Sequence, residues 1–267
     1  MNEQRIAHHS PDPDPGTPPP RLFPVGRIAL VTGSSRGLGR AIAHRLRKAG
    51  CHVYLNYAGD DAAAAEAVEV AAGMPGSTTP VKGDIRSAEF LADLFDQIRD
   101  EHGQLDIFVH NAATMHPMLP VAPKIGPLFD EIALALNPLL HGAGTIAKLM
   151  PEGGRVIAVS GNGAFEVIPN YLATGVAKAA LENLVRYLAV DLAPFGITVN
   201  AVSTHLLDKG EHTSNKAIAG LLASRTPNGR LTRPEDVADV IALLCAPEAA
   251  WIQGQVVVAD GGLGLRA

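Results

Sequence analysis

The chain has 267 residues, 47% of them hydrophobic and 18% charged, with a mean hydropathy of +0.13; this is too apolar for a disordered chain and ample for one large core. A formal net charge of −5 argues against a dedicated nucleic-acid binder, and no apolar run approaches the roughly 18 residues that cross a membrane. Two cysteines, Cys51 and Cys245, are too few for a disulfide framework, and the N-terminus shows no apolar signal core, so a cytoplasmic location is expected.

Residues 1–25 carry six prolines between Pro11 and Pro20, have no hydrophobic periodicity, and are expected to form a disordered, Pro-rich tail. His8 and His9 stand there without a further ligand nearby, so no metal site is expected. From 26 to 267 the texture is uniform and predicts a single domain. Short β-branched runs at 28–31, 52–55, 106–109, 156–159, 197–199 and 255–258 alternate with helical segments near 38–50, 61–73, 88–102, 127–150, 170–193 and 234–245. Apolar strands alternating with amphipathic helices predict βαβ units and a parallel sheet covered on both faces. Right-handed crossovers then make the fold class α/β, with a doubly wound parallel sheet of the Rossmann type.

The first strand runs directly into Thr32-Gly33-Ser34-Ser35-Arg36-Gly37-Leu38-Gly39, and a helix follows. Glycines are needed where a backbone turns tightly and where a pyrophosphate must approach main-chain N–H groups. The helix N-terminus behind them adds partial positive charge. A strand before the glycines and a helix after them is the context in which such a turn binds a dinucleotide.

This Gly-x3-Gly-x-Gly spacing resembles the short-chain dehydrogenase/reductase family, and the resemblance extends over 27–263. Gly83-Asp84-Ile85, behind a third strand, is similar to the family's adenine contact, and His110-Asn111-Ala112-Ala113 to its Asn-Asn-Ala-Gly turn. Gly196-Ile197-Thr198-Val199-Asn200 resembles its sixth strand, and Asp260-Gly261-Gly262 its C-terminal signature. The resemblance implies a nicotinamide cofactor held by Gly33, Ser35, Arg36, Gly37, Leu38, Asn56, Tyr57, Asp84, Ile85, Asn111, Ala112, Ala113, Lys178 and Ser203. NAD-dependent members hold the ribose with an acid at the end of strand two, where this chain has Tyr57. Arg36 is placed to pair with a 2′-phosphate, against the opposing pull of Asp60 and Asp61, and NADPH is expected ahead of NADH.

The family's reactive pair is usually Tyr-x3-Lys. Here Tyr171 and Lys178 form Tyr-x6-Lys, with Gly175 where the lysine usually stands and Thr174 four residues before Lys178. Seven residues along a helix return to nearly the same face, so both side chains reach one site. The longer spacing, and the stretch 171–192, resemble enoyl-acyl-carrier-protein reductase III and related enoyl-CoA reductases. That implies hydride addition to the β-carbon of an α,β-unsaturated acyl thioester, borne by acyl carrier protein or CoA, in fatty acid or polyketide metabolism. Tyr171 would stabilise the enolate by a hydrogen bond or proton. Lys178 would hold the nicotinamide ribose and lower the tyrosine pKa, with no metal required.

The pattern also departs from the family. After strand five the chain reads Ser160-Gly161-Asn162, so the usual catalytic serine position falls on Gly161; Ser160, one residue early, is retained as the third catalytic candidate. The helix asparagine falls on Ala133, with Asn137 one turn later, and Pro138 is expected to kink that helix. Ser203-Thr204-His205 replaces the usual Pro-Gly. The segment 205–230 is expected to be a substrate lid whose helix at 217–223 covers an acyl chain, with His205 and His212 solvated and Lys216, Arg225, Arg230 and Arg233 available to an acidic carrier. The family usually forms tetramers through its two long helices, implying a homotetramer or homodimer. Two other readings stay open: a ketoreductase of the same family, and a cofactor-binding pseudoenzyme.

Overall fold

The computed structural model describes residues 26–213 and 216–265; the tail at 1–25 and the side chain of His212 lie outside them. Seven parallel strands, β1 (Ile28–Val31), β2 (His52–Tyr57), β3 (Ser77–Lys82), β4 (Ile107–His110), β5 (Gly154–Val159), β6 (Ile197–Ser203) and β7 (Val256–Val258), lie in the order β3-β2-β1-β4-β5-β6-β7. Between them run α1 (Gly37–Lys48), α2 (Asp61–Val70), α3 (Ala88–His102), α4 (Ile125–Leu149), α5 (Leu172–Leu192), α6 (Lys216–Arg225) and α7 (Pro234–Cys245). The strand order reverses between β1 and β4, which opens a crevice beyond the carboxyl ends of the strands. All the expected site segments lie on that side.

Period-two alternation explains why the central strands read as unbroken apolar runs. In β1, Ile28 and Leu30 enter the layer beneath α3, α4 and α5, with Leu94, Leu181 and Val185, while Ala29 and Val31 enter the layer beneath α1 and α7, with Ile42, Leu46 and Ile241. Each such large side chain contributes roughly 1.5–3 kcal/mol of burial, so both faces select for hydrophobes. Strand β3, Ser-Thr-Thr-Pro-Val-Lys, has no apolar run because it is an edge strand none of whose residues is buried. Pro80 is accommodated there because only one side of an edge strand is hydrogen-bonded.

Helix α4 continues through Pro138 rather than ending at it. Proline has no N–H for the Leu134 carbonyl, and a side chain from β4 serves that region instead. His110 Nε2 donates to the Ala135 carbonyl at 3.1 Å, with the Leu134 carbonyl as a second acceptor. Helices α4 and α5 pack against each other, and no helix among the described residues is long and apolar enough to cross a membrane.

Candidate active site

The glycine turn is held by backbone geometry that side chains would destroy. Gly33 and Gly37 lie at φ +62° and +55°, where glycine is favoured. A Cβ on Gly39 would fall 2.2 Å from the Gly33 carbonyl oxygen, and one on Gly33 would fall 2.8 Å from Ala112 Cα. Asn111 Nδ2 donates to the carbonyls of Thr32 and Gly33, at 3.0 Å each, and ties the end of β4 to the turn. The Thr32 hydroxyl accepts from the Asn111 and Ala112 N–H groups at 3.0 Å. It donates in turn to His110 Nδ1 at 3.1 Å, since Nε2 carries the proton given to α4. Burial pushes the His110 pKa down to about 3, the nearby Lys178 charge acting the same way, so the ring is a neutral brace.

The remaining expected cofactor residues divide by environment. Ser35 is buried in the turn beside Gly37 and Leu38, and the Arg36 side chain is 79% exposed, 3.9 Å from Asp60. Tyr57 ends β2 and donates its hydroxyl to Asp61 at 3.0 Å. Asn56, by contrast, is buried and gives its amide to the Val81 and Gly83 carbonyls, so it pins β2 to the segment after β3 rather than facing the crevice. Asp84 holds Arg86 through both carboxylate oxygens, and that guanidinium keeps its carboxyl below the usual carboxylate range; Ile85 is buried next to it. Ala113 is exposed beyond the β4 turn. Ser203 ends β6 with a buried hydroxyl that has no hydrogen-bond partner among the described residues. A cradle that side chains would fill and an unpartnered buried hydroxyl fit a nicotinamide dinucleotide.

Tyr171 is the N-cap residue of α5, and Lys178 lies two turns into the helix. Their unusual spacing has a steric cause. A Cβ on Gly175 would lie 2.7 Å from the Gly163 carbonyl oxygen, and one on Gly163 would meet the Tyr171 ring at 2.5 Å. The turn after β5 therefore packs against the start of α5, with the Tyr171 ring on Gly163 and no room for a lysine at 175. Burial and, after it, the Glu131 charge raise the Tyr171 pKa, contrary to the expected lowering by Lys178, and the phenol stays protonated near neutral pH. Lys178 is 7% exposed and donates to the Val159 carbonyl at 2.6 Å; burial pulls its pKa down to about 8 despite Glu131 and Glu182 nearby.

The third catalytic candidate is turned elsewhere. Ser160 Oγ donates to Glu182 at 2.6 Å, beneath Lys178 rather than beside Tyr171. At Gly161 a Cβ would lie 3.9 Å from the Tyr171 hydroxyl and 3.6 Å from the Thr204 carbonyl oxygen. The position next to the tyrosine thus has room for a side chain and carries none. Asn137 and Ala133 are half-buried and do not line the small cavity beside Lys178. His205 is not a solvated lid residue: its side chain is 8% exposed, with Nδ1 3.2 Å from Asp260 and Nε2 3.4 Å from Glu166. It joins the segments that follow β5, β6 and β7.

Sequence reasoning missed Glu131. It is buried on α4, accepts from the Thr174 hydroxyl at 2.5 Å, and accepts from the backbone N–H and, at 3.0 Å, from the ring of His116. A signal was present: Glu131, Leu134, Ala135 and Pro138 form one buried stripe at i, i+3, i+4 and i+7, and a carboxylate inside an apolar stripe marks a special environment.

Comparison with known proteins accords with this geometry. The profile of the family described as Enoyl-(Acyl carrier protein) reductase matches residues 33–264. The chain is 36% identical over 248 residues to 1-cyclohexenylcarbonyl-CoA reductase of Streptomyces collinus, covering 90% of this chain and 88% of that protein. It is 30% identical over 257 residues to versicolorin reductase stcU of Emericella nidulans, covering 89% and 95%. Among solved structures, the promiscuous reductase LugOII, which catalyses keto-reduction at C1 during lugdunomycin biosynthesis, superposes with a TM-score of 0.83 at 34% identity over 92% of this chain and 99% of its own. With the profile spanning most of the chain and a relative 36% identical over 90% of it, the protein belongs to the short-chain dehydrogenase/reductase family of nicotinamide-dependent oxidoreductases.

Proposed function

We propose that this enzyme is a cytoplasmic, NADPH-dependent reductase of the C=C bond of an α,β-unsaturated acyl thioester, carried by acyl carrier protein or CoA. The observation that carries the reading is the bare Gly161 beside the Tyr171 hydroxyl, with Ser160 committed to Glu182. Reduction of a ketone gains from two donors on one developing alkoxide. An enolate spread over a thioester needs less, and a single protonated phenol meets it.

A bound NADPH supplies the hydride from its nicotinamide C4 to the β-carbon. Tyr171 then presents its O–H to the enolate oxygen as charge develops there. Lys178, fixed by the Val159 carbonyl, orients the cofactor ribose and holds positive charge close to the reacting atoms. The exposed Arg36 edge and the lack of an acid at Tyr57 support NADPH over NADH. Met115 and Leu119 after β4, Phe165 and Val167 after β5, and Ile218 and Leu221 on α6 expose apolar surface on the loops and helix that follow the strand ends, as an acyl substrate requires. Phe129 and Leu140 on α4, with Val176, Tyr187 and Val190 on α5, expose a second apolar face that supports a homotetramer or homodimer. Two buried, unpaired cysteines support a reducing compartment.

Likeness to LugOII favours keto-reduction as the second reading. NADPH oxidation with crotonyl-CoA and acetoacetyl-CoA, side by side, separates them. The enoyl reading expects turnover with crotonyl-CoA and little with acetoacetyl-CoA. The reverse result establishes the ketoreductase, and NADPH binding without turnover of either points to the pseudoenzyme.

A further inference from the structure

A buried carboxylate is costly unless it is compensated, and Glu131, at 3% exposure, is compensated from two opposite sides. On the outer side its Oε1 accepts from His116, whose side chain is 44% exposed. On the inner side its Oε2 accepts from Thr174, the residue one helical turn before Lys178. A cavity of about 10 Å³ is lined there by Glu131, Thr174, Lys178 and the turn at 112–114. That is room for about one water, and the carboxylate, hydroxyl and amine supply the polar partners it needs.

We propose that His116 and Glu131 form the path by which a solvent proton reaches Lys178 and, through it, Tyr171. The inference deepens the reductase reading and rests on it only for the identity of the final proton acceptor. Tyr171 gives its proton to the enolate, breaking O–H as the new bond to hydrogen forms. The Lys178 ammonium returns a proton to the phenolate. Glu131 takes a proton from the His116 ring on Oε1, passes one on from Oε2 to the cavity water, and that water gives one to the Lys178 amine; solvent returns the proton to His116. One solvent proton is consumed for each hydride delivered, and every side chain ends as it began. Burial brings the Lys178 pKa to about 8, so both of its forms are accessible near neutral pH. The other groups facing this amine are Glu182, which Ser160 holds in place, and His110, which burial keeps neutral. Glu131 and His116 are thus positioning and relay residues.

The test measures turnover of crotonyl-CoA and acetoacetyl-CoA by wild type, Glu131→Gln and His116→Ala, with NADPH affinity and thermal unfolding as controls. The relay requires kcat in Glu131→Gln to fall roughly tenfold or more with whichever thioester the wild type accepts, while NADPH affinity stays within about twofold. His116→Ala should lose activity and regain it when imidazole is added to the buffer, which a purely structural role does not produce. An activity loss that imidazole leaves unrepaired, or Glu131→Gln turning over like wild type, overturns the relay. Exclusive turnover of acetoacetyl-CoA contradicts the enoyl reading while leaving the same rescue to judge the relay. A substrate-free arm follows the Lys178 13Cε resonance with pH. Its midpoint should move down in Glu131→Gln, because a negative charge that favours the ammonium is gone. An unmoved midpoint shows that the two groups are uncoupled and overturns the relay without reference to any substrate. If Glu131→Gln does not fold, the imidazole rescue of His116→Ala decides alone.

Discussion

The two halves of the crevice are built from different materials. Around Gly33 to Gly39 the site is backbone: side chains are absent where a phosphate must come close, and the polar side chains nearby, Thr32, Asn56 and Asn111, are consumed in holding main-chain carbonyls and N–H groups in place. Around Tyr171 and Lys178 it is side chains: the buried Glu131 acts on both the phenol and the amine, and the buried Glu182 acts on the amine. The glycines of the turn tolerate almost no substitution, because a Cβ on Gly33 or Gly39 collides with main chain and Gly37 holds a positive φ. Side-chain sites can be rewired one group at a time, and Gly161, with room for a side chain beside the Tyr171 hydroxyl, carries none.

The largest effect expected from breaking this contrast is on the backbone side. Gly39→Ala places a Cβ 2.2 Å from the Gly33 carbonyl oxygen and 2.6 Å from Asn111 Nδ2, neither of which has room to yield. A loss of about 4 kcal/mol or more is expected in urea unfolding, with NADPH binding undetectable by fluorescence. A mutant that binds NADPH normally would show that the turn is looser than this geometry.

The next largest effect is at the joint between the halves, on His110. Its pKa is about 3 in the fold and 6.5 as the ordinary value, so below pH 6.5 the unfolded chain takes up a proton that the folded ring refuses. Stability present above pH 6.5 is therefore lost as the pH falls toward 3, by on the order of 4 kcal/mol when complete. His110→Asn should be less stable than wild type at pH 7 but lose less stability between pH 6.5 and 4. Parallel stability–pH curves for the two proteins would contradict the neutral brace.

Two smaller changes sharpen the comparison. Gly161→Ser adds a side chain where the nearest atoms are 3.6 and 3.9 Å from its Cβ, so the fold should accept it within about 0.5 kcal/mol. Its hydroxyl beside Tyr171 should raise kcat/KM for acetoacetyl-CoA by roughly tenfold; no gain would mean that the bare position does not set the reaction. Arg36→Ala, at an exposed edge, should weaken NADPH by about fivefold and leave NADH nearly unchanged, in keeping with the modest energy of exposed ion pairs. Equal losses for both cofactors would contradict a 2′-phosphate contact.

The same contrast explains what could be read from the sequence. The glycine turn, the central strands and the long helices were legible because local rules write them: φ above zero needs glycine, and a strand buried on both faces needs hydrophobes. β3 was silent as a pattern because an edge strand obeys neither rule, and only its following Gly83-Asp84 placed it. The spacing of Tyr171 and Lys178 was legible. The reason for their spacing was not, because it lies in Gly163 packing on Gly175 from another segment. Ser160 and Asn56 have suitable chemistry, but their orientation toward Glu182 and toward the Val81 and Gly83 carbonyls is tertiary. His205 read as a solvated lid residue because Glu166 and Asp260, which enclose it, are 39 and 55 positions away. The partner of the carbonyls near Pro138 was not legible, because the imidazole that serves the Ala135 carbonyl comes from β4.

The central claim is that Tyr171 alone serves the enolate of an unsaturated thioester, and its most direct test is crotonyl-CoA turnover by wild type and Tyr171→Phe at saturating NADPH. The account predicts that kcat falls by roughly 100-fold or more while NADPH binding is unchanged. Turnover of crotonyl-CoA that survives in Tyr171→Phe would contradict it.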